Sequence, residues 1–294
     1  MNFIVFNGSG GNGSVSDRIV SQANSNFASS FFFLPEGKRR AVKTFYAFCR
    51  KLDDGVDDAD DRETALQSIE FWKQELGKMT GGAALTPLGE EIRGVIREFD
   101  LSIENFELVI EGVETDLSKK RYETFEELYA YCYRVASSVG FTCCEIMGVK
   151  SAAALRYAEL TGIGVQLTNI LRDIREDAAM GRIYLPLEDL ERFDVSEDDI
   201  LRLRIEKKLF NLLQFEAQRA ETFFNMGQWV LTPLDSLKLY FCHLLAGTYR
   251  AILDELRQKH FGLLNGKVKV PTRRKIRSVV KTAVSSTFGA MHVM

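Results

Sequence analysis

Apolar side chains recur every three or four residues along most of this chain, and that spacing predicts α-helices. Residues 36–58 show it clearly, with Val42, Phe45, Cys49 and Val56 along one face. The same spacing predicts seven further helices, at 64–78, 87–96, 102–113, 124–147, 151–177, 196–228 and 233–260. A chain patterned in this way belongs to the all-α class.

Local signals support these helices and leave little room for strands. Gly81-Gly82 follows the second predicted helix, Pro87 opens the third, and Thr124 precedes a first turn rich in acids. Five prolines in 294 residues leave long stretches without a helix breaker. Residues 268–270 are the only short stretch that alternates like a strand. We therefore predict a single all-α domain over residues 16–294.

The first residues are rich in glycine. Gly8 to Gly13 follow a short apolar run, as a phosphate-binding loop follows a strand. No second strand follows at the required spacing, and no Gly-Lys-Ser/Thr ending is present. The composition favours a flexible tail over residues 1–15.

Composition and charge narrow the possible functions. The formal net charge is −3, whereas proteins that bind nucleic acids through phosphates are usually basic, so we predict no nucleic-acid partner. No apolar run reaches the roughly 18 residues of a membrane span and no secretory signal is visible, so we expect a cytoplasmic location. Five scattered cysteines and three distant histidines argue against a disulfide framework and a zinc site.

Carboxylates are concentrated near the end of the first long helix. Asp53 and Asp57 are four residues apart and therefore lie one turn apart on one face, which Arg50 shares. Like charges at this spacing destabilise a helix by about 0.2–0.5 kcal/mol, so a bound cation would stabilise the pair. A solvated surface remains the alternative for the acids that follow, namely Asp58, Asp60 and Asp61.

A second polar stripe lies in the helix predicted at 151–177. Four oxygen-bearing side chains fall within about 80° of one another on that helix: Gln166, Asn169, Asp173 and Asp177. The apolar residues Ile163, Leu167, Ile170, Leu171 and Ile174 lie on the same helix, and buried carboxylates without partners are costly. Ion pairs with Arg172 and Arg175 are the alternative explanation. Two such stripes in one helical domain favour a metal site.

The donor types indicate which metal. Carboxylate and amide oxygens without histidine or cysteine suit a hard cation, so we expect Mg²⁺, with Mn²⁺ as a second choice. Facing stripes could hold a diphosphate through bridging Mg²⁺, with Arg50, Arg172 and Arg182 neutralising the remaining charge. We expect aromatic and aliphatic side chains to line the rest of the site, which would suit a diphosphate that carries a long apolar tail.

The motifs Asp53-Asp54-x-x-Asp57 and Asn169-x3-Asp173-x3-Asp177 resemble those of the squalene and phytoene synthases. The second motif lies within Gln-Leu-Thr-Asn-Ile-Leu-Arg-Asp-Ile-Arg-Glu-Asp at 166–177, followed by Gly-Arg-Ile-Tyr-Leu-Pro at 181–186. Segments 121–125 and 131–140 extend the resemblance, which covers about residues 20–270.

This resemblance implies an isoprenoid-synthase fold with a central active-site cavity and the head-to-head (1′–1) condensation of two prenyl diphosphates. It implies Mg²⁺ ligands at Asp53, Asp54, Asp57, Asn169, Asp173 and Asp177. Substrate contacts are expected from Tyr46, Arg50, Gln166, Arg172, Arg182, Tyr184 and Tyr249. Tyr131 is expected near the reacting carbons, and forms the catalytic set together with Asp53, Asp57, Asp173 and Asp177.

Three details resemble the bacterial hopanoid-pathway branch of the family: residues 136–140, Ser25-Asn26-Phe27 and residues 186–195. They favour the joining of two farnesyl diphosphates to presqualene diphosphate. Squalene, dehydrosqualene or phytoene synthesis are alternatives, as is a non-catalytic helical relative, although such relatives typically lose the metal-binding aspartates. No nicotinamide motif is visible, so we expect no requirement for NADPH. A lipid product makes peripheral membrane contact a further expectation.

Overall fold

The computed structural model describes residues 13–22, 31, 34–204 and 206–262, and the regular structure in these residues is helical without strands. Their α-helices are α1 (Val15–Gln22), α2 (Glu36–Asp57), α3 (Arg62–Gly81), α4 (Pro87–Phe99), α5 (Ile103–Ser118), α6 (Phe125–Cys132), α7 (Ser138–Met147), α8 (Ala152–Ala179), α9 (Leu187–Arg192), α10 (Glu197–Leu201), α11 (Lys207–Val230), α12 (Pro233–Lys238) and α13 (Tyr240–Gln258). A π-helical segment, Tyr133–Ser137, joins α6 to α7. The all-α prediction is confirmed.

Parts of the sequence-based prediction lie outside the described residues. Residues 1–12 of the predicted tail and the candidate strand at 268–270 are among them. Helix α1 begins at Val15, where the tail was predicted to end. Within the described ranges, the helices are all too short or too polar to cross a bilayer.

The core consists of two apolar clusters. The first lies among α1 to α5 and α7, where Phe48 packs edge-on against Trp72. The second lies among α6, α8, α11 and α13. Helix α8 contributes to both, through Tyr157 to the first cluster and through Ile163 to the second. Because it spans the two clusters, α8 sets the position of the α2 half of the molecule relative to the α11 half.

Helix α8 approaches the π-helical segment closely at Gly162. A Cβ atom added there would lie 2.7 Å from both Cα and N of Ser137. The Ser137 hydroxyl donates a hydrogen bond of 3.0 Å to the Glu159 carbonyl oxygen, which holds the two backbones together. This contact fixes the helix that carries Tyr131 against the helix that carries Asp173.

Two of the predicted helices are interrupted. The first breaks between α10 and α11, where Leu203 has a φ of 48° in the left-handed region. Asp199 forms a capping box with Ser196 at the N-terminus of α10, and it also forms an ion pair of 3.0 Å with Lys208 in the first turn of α11. The second breaks at Leu239, where buried His243 contacts the Ser236 hydroxyl at 3.1 Å. Polar contacts such as these override the apolar periodicity.

We expect Gly162→Ala to lower the free energy of unfolding by about 1–3 kcal/mol, because the added methyl group overlaps the backbone of Ser137. Gly77→Ala is the matched control, because Gly77 lies on the exposed face of α3 with nothing within 4 Å of an added Cβ. That variant should gain about 0.5–1 kcal/mol through helix propensity. Urea denaturation measures both changes, and similar values for the two variants would contradict the close approach.

Candidate active site

Helix α2 places one set of predicted site residues on a single face. Tyr46, Arg50, Asp53 and Asp57 follow one another at three- and four-residue steps, and Phe48 and Leu52 bury the opposite face. Tyr46 packs edge-on against the ring of Phe31, with centroids 6.1 Å apart. The Asp53 carboxylate is reached by water yet enclosed by protein, so it lines a cleft.

Arg50 is engaged by the neighbouring carboxylate. Its guanidinium forms an ion pair of 2.7 Å with Asp54, which Lys51 also approaches at 3.8 Å. Arg50 also lowers the pKa of Asp53, although burial and the acids nearby outweigh this effect. Asp54 therefore holds a cationic side chain beside the cleft.

Helix α8 carries the second set. Arg172 Nε donates a hydrogen bond of 2.7 Å to Asp173, and Asn169 Nδ2 donates one of 3.2 Å to Gln166 Oε1. The other amide atom, Asn169 Oδ1, is buried and has no hydrogen-bond donor among the described residues. Buried oxygens are nearly always satisfied in native structures, so this one indicates a missing partner.

Tyr249 on α13 lies beside this second set of residues, next to Arg172 and Asn169. Burial raises the pKa of the Tyr249 hydroxyl, and the side chains of Arg172 and Asn169 oppose the rise. Of the predicted substrate-binding residues, Gln166, Arg172 and Tyr249 therefore lie together around Asn169.

Arg182 connects the two sets. It follows the end of α8, where its backbone N–H donates to the Asp177 carbonyl oxygen at 2.8 Å. Its guanidinium lies 3.9 Å from a carboxylate oxygen of Asp57 on α2. The same guanidinium lowers the pKa of Asp177 and of Asp116 against the raising effect of burial. The stripes of α2 and α8 therefore face each other across one cleft.

Asp116, which sequence analysis missed, lies in the same cleft. Its two carboxylate oxygens accept hydrogen bonds of 2.9 Å from the hydroxyls of Tyr131 and Tyr184. The ring of Tyr122 packs against both tyrosine rings, with centroids 5.5 and 5.8 Å away.

Two signals in the sequence could have identified Asp116. It lies three residues after buried Val113, on the apolar stripe of α5. It also lies in the last turn of that helix, where the helix dipole disfavours an anion. An acid that is unfavourable on both counts calls for a functional explanation.

Burial and mutual repulsion disturb the acids of the cleft. Burial raises the pKa of Asp53 to about 7, and Asp57 and Asp116 add to the rise. Burial likewise raises the pKa of Asp177 to about 7, with Asp173 adding to it. The pKa of Asp116 rises to about 6, although its two tyrosine hydrogen bonds oppose the effect of burial. The cleft thus holds more negative charge than Arg182 can balance.

The donor set fits a hard divalent cation. It consists of carboxylate oxygens and the unpartnered Asn169 oxygen, which Mg²⁺ or Mn²⁺ prefers. In the described part of the chain, no three acidic, histidine or cysteine side chains already surround a common point. Mg²⁺ sites are often completed by substrate phosphates, because Mg²⁺ is commonly held by one or two carboxylates.

The volume that would receive prenyl chains stays a prediction. Of the cavities characterised among the described residues, one lies beside α1 and α4 and is lined by Ser14 and Glu91. A second lies between α3 and α5 and is lined by Leu76 and Ile110. Neither is lined by the carboxylates of the cleft.

The raised pKa values predict a pH-dependent effect of removing these acids. A carboxyl with a folded-state pKa of about 7 and an unfolded value near 3.8 binds its proton more tightly when folded, so it destabilises the metal-free protein increasingly as pH rises through that window. We expect Asp53→Asn/Asp177→Asn to raise the melting temperature relative to wild type more at pH 8 than at pH 5.

Scanning fluorimetry in a chelating buffer measures this difference. Comparison at equal pH cancels other groups, such as buried His243, whose lowered pKa of about 4 acts in the opposite direction. Asp60→Asn, in the exposed turn after α2, is the matched control. An equal gain at both pH values would contradict the electrostatic account.

Comparison with known proteins shows the family to which this chain belongs. The family model for squalene/phytoene synthase matches residues 20–274. A phytoene synthase of Arthrospira platensis is 33% identical over 272 residues, covering 87% of this chain and 88% of that protein. A 15-cis-phytoene synthase of Synechococcus elongatus is 32% identical, covering 90% of this chain and 92% of that protein.

Solved structures give the same result. A dehydrosqualene synthase superposes with a TM-score of 0.81 at 29% identity, covering 92% of this chain and 94% of that one. The squalene synthase HpnC from Alicyclobacillus acidocaldarius superposes with a TM-score of 0.75 at 29% identity, covering 84% and 93%. The chain therefore belongs to the squalene/phytoene synthase family, as a prenyltransferase that condenses prenyl diphosphates head to head.

Proposed function

We propose that this protein catalyses the Mg²⁺-dependent head-to-head condensation of two farnesyl diphosphates to presqualene diphosphate, with release of one diphosphate. The observation that carries the proposal is the pair of acidic stripes on α2 and α8, joined by Arg182 across one cleft. A diphosphate is itself an anion. It can bind between the carboxylates of the two stripes only if cations lie between its phosphate oxygens and those carboxylates.

The residues that would hold the cations come from both stripes: Asp53, Asp57, Asn169, Asp173 and Asp177. Bound Mg²⁺ supplies Lewis-acid chemistry, drawing charge onto the departing diphosphate. Asp54 is a further candidate ligand from the sequence. Its ion pair with Arg50 gives it a second task, because it orients that guanidinium at the edge of the cleft.

Arginines provide the rest of the diphosphate site. The side chains of Arg172 and Arg182 are 24% and 19% exposed, so they are held by the protein while still open to a ligand. Guanidinium groups match phosphate oxygens in charge and geometry. Because Asp57 and Asp173 already orient them, they need little reorganisation when negative charge develops on the leaving group.

Tyr131 and Tyr184, which both donate hydrogen bonds to Asp116, suit the formation of carbon–carbon bonds through a carbocation. In the condensation, the 2,3-double bond of one farnesyl chain attacks C1 of the other as its C–O bond to diphosphate breaks. A proton then leaves as the cyclopropane closes. Tyr131 donates its hydrogen bond to Asp116, so its oxygen presents lone pairs that can stabilise a nearby carbocation. The same oxygen can accept the departing proton as its own hydrogen passes to the Asp116 carboxylate.

Water must be kept from this carbocation. Burial of Tyr122, Tyr131 and Tyr184 beside the apolar second cluster provides a dry wall on one side of the cleft. Tyr184 shares Asp116 with Tyr131 and so holds the carboxylate in place for it.

A second candidate is phytoene synthesis from geranylgeranyl diphosphate. The curated relatives named above are phytoene synthases and favour it. Segments 136–140 and 186–195 resemble the hopanoid branch instead and favour the farnesyl substrate. The two candidates share the first condensation and the same polar cleft, and they differ in the length of the apolar chains.

A product assay separates these candidates. The purified protein is incubated with farnesyl or geranylgeranyl diphosphate, with and without Mg²⁺ and NADPH, and the products are identified by mass spectrometry. We expect presqualene diphosphate from farnesyl diphosphate with Mg²⁺ and without NADPH. Phytoene from geranylgeranyl diphosphate alone would establish the second candidate, and turnover in a chelating buffer would contradict both.

We expect Asp173→Ala to lower kcat at least about a hundredfold, because it removes a proposed cation ligand and the partner that orients Arg172. The change should leave the helical circular dichroism spectrum intact, because the side chain lies at the cleft rather than in the core. Asp60→Asn serves as control and should retain full turnover. Near-normal turnover of Asp173→Ala would remove α8 from the proposed site.

A further inference from the structure

A buried cluster of charged side chains joins α9 to α11. Arg219 Nη1 donates a hydrogen bond of 2.7 Å to Asp189, and it donates to both carboxylate oxygens of Glu216 at 2.8 and 2.9 Å. The side chains of Asp189 and Glu216 are 5% and 1% exposed. We call these three residues the buried triad. Buried charges are costly unless they are balanced, and here two acids share one arginine.

The buried triad holds one carboxyl group more than its arginine balances. Burial raises the pKa of Glu216 to about 8, with Arg219 opposing the rise and Asp189 adding to it. Glu216 also shares a hydrogen bond with Asp189. Two carboxyl groups can form such a bond only when one of them carries a proton, because an ionised carboxylate only accepts.

Titratable groups face Glu216 from three elements: Arg219 on α11 itself, Asp189 on α9 and Cys132 on α6. Burial raises the pKa of the Cys132 thiol, so this group stays neutral. The proton balance of the buried triad therefore depends on its two carboxyl groups.

Arg219 also contacts the start of α6. Its guanidinium carbon lies 4.1 Å from the centroid of the Phe125 ring. The backbone N–H of Phe125 donates a hydrogen bond of 2.7 Å to the Glu188 carboxylate, next to Asp189 on α9. Arg219 therefore holds α9 through Asp189 and α6 through Phe125.

The chain segments before these two helices carry tyrosines of the acidic cleft. Tyr122 lies three residues before Phe125, and its carbonyl oxygen accepts a hydrogen bond of 2.8 Å from the backbone N–H of Leu187. Tyr184 lies three residues before Leu187, and its ring stacks on that of Tyr122 with centroids 5.8 Å apart. The Tyr184 hydroxyl donates to Asp116. A shift of α9 would therefore reach the cleft through Tyr184.

We propose that Glu216 and Arg219 are positioning residues for the cleft, and that one proton shared between Glu216 and Asp189 keeps α9 in its active position. Loss of this proton leaves two buried carboxylates on one guanidinium, and their repulsion loosens α9 together with residues 182–186. The inference deepens the proposed function, because Arg182 and Tyr184 belong to the cleft of that function.

The sign of the pH effect follows from the raised pKa of Glu216. When α9 is displaced, the carboxyl meets water and regains its ordinary pKa of 4.5, whereas the packed arrangement holds it at about 8. The packed arrangement therefore binds the proton more tightly. It is most stable at low pH and loses stability as the pH rises from 4.5 to about 8.

Glu216→Gln tests the shared proton, because an amide imitates the protonated carboxyl: its oxygen accepts from Arg219 and its NH₂ group donates to Asp189. We measure Mg²⁺-dependent turnover of farnesyl diphosphate. The ratio of kcat/KM of this variant to that of wild type should rise at least about threefold from pH 6 to pH 9.

Glu221→Gln is the matched control, because Glu221 lies on the same helix and pairs with its own arginine, Arg257, at 2.7 Å. Its kcat/KM ratio to wild type should stay constant over the same pH range. A constant ratio for Glu216→Gln, or loss of its activity already at pH 6, would overturn the proposal.

Changing the other carboxyl provides a second test. Asp189→Asn should raise the ratio as Glu216→Gln does, because removing either charge removes the repulsion. Glu216→Gln/Asp189→Asn should instead lower kcat/KM at least about tenfold at every pH, because it leaves Arg219 buried without a carboxylate. A further gain in the double variant would contradict the shared proton.

Hydrogen exchange without substrate separates this proposal from the proposed function. Mass spectrometry compares the exchange of amides 183–193 in wild type and Glu216→Gln at equal pH, so that the chemical exchange rate cancels. The excess exchange in wild type should grow at least about threefold from pH 6 to pH 8. Such growth in a protein without turnover would contradict the proposed function alone. Turnover with an equal excess at both pH values would contradict the positioning role alone.

Discussion

Negative charge concentrated in one cleft is the constraint on which the rest of this site depends. Asp57 and Asp116 raise the pKa of Asp53, against the lowering effect of Arg50. Asp173 and Asp116 raise the pKa of Asp177, against the lowering effect of Arg182. A protein pays a stability cost to hold such a cluster. The cluster becomes favourable when cations and an anionic ligand enter together, and this is what diphosphate chemistry requires.

The carboxylates of the cleft repel one another, so the packing of the helices has to hold them in place. Helix α8 passes through both apolar clusters, and its contact with the π-helical segment at Gly162 leaves no space for a side chain. Short π-helical segments inside α-helices often occur near functional sites. Here the segment directly follows the turn that carries Tyr131, so the packing of α8 and the position of the tyrosine are fixed by one contact.

Sequence patterns predicted the helical class and the two acidic stripes. Both predictions depend on the spacing of residues within a single helix, which the sequence shows directly. They missed Asp116, whose role depends on Tyr131 and Tyr184 from other elements. They also missed the breaks near Leu203 and Leu239, where polar contacts between helices decide the path of the chain. Burial and hydrogen-bond partners are properties of the assembled fold, so the spacing of residues within one helix does not reveal them.

Binding of diphosphate through Mg²⁺ can be tested without any prenyl chain. Inorganic diphosphate carries the charged part of the substrate alone, so titration calorimetry with and without Mg²⁺ measures the central claim directly. We predict that diphosphate binds only when Mg²⁺ is present and that Asp53→Asn/Asp177→Asn weakens this binding. Equal binding of diphosphate in a chelating buffer would show that the cleft recognises it without a cation, which would contradict the account.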